Sequence, residues 1–184
     1  MIYKNVFPHV NLIPSHLDLF TVDLDLAGAT ARERKLDKAL KPILNDYDII
    51  ICDCPPNLTL PTQNALAVST HYVVPVSLDF LSALGIGILL GRIETLSDDL
   101  DQPLQNAGIA ISRVGRTAQH RKTTEASIRA KYKELVFTQT IKDRVAVSQA
   151  AESRQTIFNS TDNVAIGEFN TLFDQLSTRI GLPE

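Results

Sequence analysis

These 184 residues contain no Gly-Lys-Ser or Gly-Lys-Thr, so the lysine-bearing end of a phosphate-binding loop is absent from them. Lys122-Thr123 has the last two letters of such a loop. Arg116 and Arg121 stand where its glycines would have to be, and only glycine lets the backbone wrap a phosphate closely. Gly85, Gly87 and Gly91 fail a dinucleotide fingerprint in the same way, because Leu90 occupies the third glycine position. Cysteine is scarce: Cys52 and Cys54 lie on one extended segment where disulfide geometry is hard to reach, and a reduced cytosolic thiol pair is expected. His9, His16, His71 and His120 show no metal-ligand spacing, and no Ser, His and acid combination forms a nucleophile elbow. No basic-then-apolar signal opens the chain, and its most apolar run, Leu81 to Leu90, is half a membrane span. Secretion and membrane insertion are not expected.

What is present resembles an ordinary globular protein. With 44% apolar and 21% charged residues, the chain fits one domain, residues 1–184, with a substantial core. The net charge of −3 is unevenly spread. Residues 113–133 carry Arg113, Arg116, Arg121, Lys122, Arg129, Lys131 and Lys133 against Glu125 alone, so this segment is +6 and the remainder −9. Such asymmetry fits either a polyanion-binding face or a solvated helix face.

Residues 1–12 alternate weakly and predict a short strand before Pro14. Leu19, Val22 and Leu26 fall at helical spacing up to Gly28, and Leu36, Ala39, Leu40, Ile43 and Leu44 make a second helical stripe. Helices are predicted again at 62–69, 82–96 and 117–133, and one from Asp162 to a stop at Gly181. Strands are predicted at 72–76, 108–111 and 135–137. Alternation at these intervals implies an α/β fold with a mainly parallel sheet.

One further stretch, Tyr47-Asp48-Ile49-Ile50-Ile51-Cys52-Asp53-Cys54-Pro55-Pro56, reads as a strand buried on both faces and ended by its prolines. Ligands in open α/β sheets sit beyond the carboxyl ends of parallel strands, which makes Asp53 the first polar group at such a place. A carboxylate there can hold hydrated magnesium beside a nucleotide phosphate; it can also simply cap a turn.

Several runs together resemble one family. They are Leu12-Ile13-Pro14-Ser15-His16-Leu17-Asp18-Leu19, the stretch through Asp53, Asn64-Ala65-Leu66, and Val74-Pro75-Val76 with Asp79 and Gly85. Gly115-Arg116-Thr117, Val136-Phe137, Ile141, Ser148-Gln149-Ala150 and Ile157-Phe158 continue the series. In order and approximate spacing they resemble the ParA family of partition ATPases. The resemblance implies a three-layer, P-loop NTPase-like fold with a mainly parallel twisted sheet flanked by helices, here without its first βα unit. It also implies ATP with magnesium, a homodimer, non-specific DNA binding, a ParB-type adaptor, and a cytoplasmic, nucleoid-associated protein that segregates plasmids or chromosomes. Asp53 matches the family's Walker B acid, on the magnesium and nucleotide side, and Arg116 matches an arginine the family uses on DNA. The basic helix adds Arg121, Lys122 and Arg129 as expected phosphate contacts.

Departures from the family pattern shape the expectation. The glycine-rich loop and its lysines are not in these residues, so ATP binding by this chain alone is expected to be poor and its standing as an enzyme stays open. Without the strand leading into that loop, ladder groups beside the Asp53 strand would lack partners, at about 1–3 kcal/mol each if buried. Asp23 and Asp25 read as solvent-facing helix residues. Lys142 stands where the family has proline, and Ala146 where it has a second DNA-contacting arginine, with Arg144 nearby as a substitute. A non-enzymatic DNA- or adaptor-binding relic is the alternative. A membrane-positioning protein of the MinD type fits less well, because residues 162–180 carry Asp162, Glu168 and Asp174 against Arg179 only, the wrong charge for a basic membrane-binding tail.

Overall fold

The computed structural model describes residues 1–115 and 119–182. The chain forms two compact units, residues 1–69 and 70–184.

The first unit opens with an antiparallel hairpin, β1 (Tyr3–Phe7) and β2 (Val10–Leu12), paired Tyr3 with Leu12 and Phe7 with Val10. Short helices follow: α1 (Val22–Asp25), α2 (Lys35–Leu40) and α3 (Leu60–Val68), with short 3-10 segments between them. Asn64 on α3 fastens this unit. Its Oδ1 accepts the Leu36 N–H at 2.9 Å, and its Nδ2 donates to the Arg32 carbonyl at 2.8 Å and the Leu60 carbonyl at 3.0 Å. A buried carboxamide with these partners costs nothing in unsatisfied groups and pins α3 to the segment before it. Asp23 is exposed, as expected, but it also accepts the Leu60 N–H at 2.9 Å and so caps α3.

In the second unit, β3 (His71–Ser77) and β4 (Gln105–Ser112) pair in parallel, joined by the 20-residue helix α4 (Phe80–Asp99). The helices α5 (Gln119–Tyr132), α6 (Val145–Glu152) and α7 (Asn163–Ile180) follow. Val136 bridges Ile109 in parallel, and Lys142 bridges Val114, so the free edge of β4 is taken by the chain after α5. The core joins Val74, Val76 and Leu78, Ile109 and Ile111 of β4, Ile86 of α4, Ile128 of α5, and Val136. Strand alternation turns Gly108 and Ala110 the other way, and α7 covers that face. Arg179 of α7 donates from Nη1 to the carbonyls of Ala107 (2.9 Å) and Leu135 (3.0 Å), and from Nη2 to that of Glu134 (2.8 Å). Its guanidinium carbon lies 4.1 Å from the Phe137 ring centroid. Gly108, at φ +146°, leaves the room: a Cβ there would meet the Phe137 ring at 2.7 and 2.8 Å. The result is a sheet with helices on both sides, the α/β layering that the periodicity predicts. Asp162 caps α7 by accepting the Ala165 N–H at 2.9 Å, and Gly181 at φ +68° ends it.

The Tyr47–Cys54 strand does not form. Among the described residues nothing pairs with 49–53, and Ile49, Ile50 and Ile51 are 41%, 40% and 86% exposed. A strand exists only as part of a ladder; an apolar, β-branched run with no neighbour stays irregular however strong its propensity.

Candidate functional site

Asp53 lies on this irregular segment and is exposed. Burial pushes both adjoining thiols up, and Cys54 is raised further by the Cys52 and Asp53 charges. No group of three His, Cys, Asp or Glu able to hold a metal exists among the described residues. A cavity of about 400 Å³ in the second unit is lined by Thr138, Thr171, Asp174, Gln175, Thr178 and Arg179. The expected delivery of Asp53 by a strand buried on both faces is therefore corrected: Asp53 stands exposed on an irregular segment.

The carboxyl end of β3 is organised instead around Asp79. Its Oδ2 accepts the Ser77 hydroxyl at 2.5 Å and the Ser82 hydroxyl at 2.6 Å, and its Oδ1 accepts the Ser82 N–H at 2.8 Å. The Ser77 hydroxyl, then the Ser82 hydroxyl and N–H, hold the carboxyl well below the usual range, at about 2. This arrangement starts α4. Asp-x-x-Ser ahead of a long helix is a cap signal legible in the sequence, at a position that the family resemblance also includes.

The basic segment follows the carboxyl end of β4. Arg113 is exposed and stands in the left-handed region at φ 54°. Arg116 falls outside the described residues. Arg121 is half-buried, with Nη1 only 2.5 Å from where a Cβ on Gly115 would sit, so the absent side chain makes room for the guanidinium. Lys122, Lys131 and Lys133 are exposed. Arg129 has other partners: Glu125 Oε1 at 2.9 Å and the carbonyls of Phe137 (3.0 Å) and Thr138 (3.4 Å). Arg144, the expected substitute for a second DNA arginine, is also engaged. Its Nη2 lies 2.8 Å from Glu168 Oε1 and its Nη1 3.6 Å from Asp162 Oδ2. Burial raises the Glu168 carboxyl, but the bonds from Arg144 and the Lys142 N–H outweigh it and leave the group lowered. Arg144 thus closes a buried carboxylate and is not positioned as a phosphate ligand.

A model of the AAA domain family matches residues 1–106, more than half of the chain. The cell division protein PomZ of Myxococcus xanthus is 31% identical over 158 residues, covering 86% of this chain and 50% of PomZ. The chain belongs to the ParA family of AAA-domain proteins. The chromosome-partitioning ATPase Soj of Thermus thermophilus is 32% identical over 149 residues, 80% of this chain and 57% of Soj. The ATP complex of McdA from Cyanothece superposes with a TM-score of 0.84 at 16% identity, over all of this chain and 70% of McdA. The fold of this ParA-family chain is accordingly that of the P-loop NTPases. The chain spans about half the length of the relatives it matches in sequence. No helix among the described residues is long and apolar enough to cross a membrane.

Proposed function

We propose that this ParA-family chain serves in the segregation or positioning of DNA or other large cargo, and that it does so by holding duplex DNA non-specifically along its basic segment. The observation that carries this reading is the +6 charge of residues 113–133 within a chain of net charge −3, presented at the carboxyl end of β4 and along α5. Lys and Arg displace condensed counterions from duplex phosphates without reading sequence, which suits cargo movement over any DNA. Arg116, Arg121 and Lys122 are the contacts proposed, joined by exposed Arg113, Lys131 and Lys133. A ParB-type adaptor and a homodimer belong to the same proposal by kinship, as does ATP with magnesium. Nucleotide dependence would need a phosphate-binding loop, and Asp53 alone cannot replace its backbone donors or its lysine.

The exposure of Asp53 favours a second reading: DNA or adaptor binding without nucleotide. One titration serves both. Affinity for a mixed-sequence duplex is measured against NaCl, with and without ATP and magnesium. The expected result is binding that falls steeply with salt and weakens at least tenfold in Arg121→Glu or Lys122→Glu. Absence of binding at 50 mM salt, or insensitivity to both substitutions, rejects the proposal. An increase with ATP and magnesium favours the first reading; no change favours the second.

A further inference from the structure

The cations of the basic segment are not equivalent. We infer that Arg129 is a positioning residue that holds the basic helix against the sheet, and not one of the groups that meet phosphate; the inference rests on the DNA-binding reading above. All three guanidinium nitrogens are engaged within the protein. Nε donates to Glu125 Oε1 at 2.9 Å, Nη1 to the Phe137 carbonyl at 3.0 Å and Nη2 to the Thr138 carbonyl at 3.4 Å. Glu125, one turn earlier on α5, is the single acid of the segment and matches this charge. Phe137 is a rigid anchor. Its side chain is 0% exposed, and its N–H donates to the Ile109 carbonyl of β4 at 3.0 Å. Holding the Phe137 carbonyl therefore fixes α5 to the register of the parallel sheet. Turning the guanidinium toward a phosphate would strip two carbonyls and a carboxylate of their donor, whereas the exposed Lys122 ammonium can meet phosphate as it stands.

The test compares Arg129→Met, Arg129→Lys and Lys122→Ala with the wild-type protein by amide hydrogen exchange and by duplex affinity against salt. Exchange over residues 119–138 is expected to quicken about tenfold in both Arg129 variants and to stay unchanged in Lys122→Ala, because neither Met nor Lys reproduces the guanidinium fork. In Arg129→Met the duplex affinity falls while the slope of log affinity against log salt stays at the wild-type value; in Lys122→Ala that slope falls by about 0.9. Wild-type exchange in Arg129→Lys, or a loss of about 0.9 in slope in Arg129→Met, overturns the inference. If the wild-type protein does not bind the duplex, or Lys122→Ala leaves the slope unchanged, the DNA reading falls, and the exchange comparison alone decides the role of Arg129.

Discussion

Three donors converge on the Asp79 carboxylate at the end of β3, and two of them are hydroxyls supplied by the strand and by the helix it starts. The group is therefore needed as an anion, and the helix N-terminus favours that charge as well. Its lowered pKa gives the linkage a definite sign. The folded protein prefers the ionised form more than the unfolded chain does, so Asp79 adds stability at every pH above the ordinary carboxylate value of about 4. That contribution fades as the pH falls through about 2. Asp79→Ala is expected to lower Tm at neutral pH, and the gap to the wild-type protein should narrow below pH 4; a gap independent of pH down to 2 would show that the carboxylate charge plays no part. Nearby, Gly108 and Gly115 act by what they omit, one admitting the Phe137 ring and the other the Arg121 guanidinium.

Between elements, the contrast is between two apolar runs of similar composition. Gly108-Ile109-Ala110-Ile111 is a strand because β3 pairs along one side and the chain around Val136 and Ile141 along the other, leaving Ile109 and Ile111 at 0% exposure. Ile49-Ile50-Ile51 has as strong a β propensity and no ladder partner among the described residues. The difference has an energetic signature. Ile111→Ala should destabilise the protein by about 2–5 kcal/mol through lost burial and the cavity left behind. Ile51→Ala, at 86% exposure, should change stability by no more than about 0.5 kcal/mol. Denaturant melts of the two variants measure both; a cost above about 2 kcal/mol at Ile51 would mean that the segment is buried in solution.

At the scale of the molecule, charge and nucleotide chemistry are separable. The positive segment needs only to be presented, since counterion release depends on charge density and not on a shaped cavity. A nucleotide site needs convergence of loop N–H groups, a lysine and a magnesium-side acid, and Asp53 stands exposed on an irregular segment. A ligand that binds the native state raises Tm by mass action, so an unchanged Tm in millimolar ATP with magnesium is the outcome expected of the nucleotide-free reading. A rise of several degrees would show that these residues build a nucleotide site after all.

From the letters alone follow the elements that close on themselves. The α4, α5 and α7 helices, the cap at Asp162, the stop at Gly181 and the strands of Val74 and Ile109 are legible because periodicity and capping are local. So are the charge asymmetry and the ParA resemblance. Tertiary structure alone decided which side chains are free to act. That the guanidiniums of Arg129 and Arg179 reach backbone carbonyls, and that of Arg144 the Glu168 carboxylate, depends on contacts further off in sequence than a helical turn, from 8 residues for Arg129 to 72 for Arg179. Whether an apolar run becomes a buried strand depends in the same way on a ladder partner, which no local pattern can supply. Asp53 is exposed for that reason.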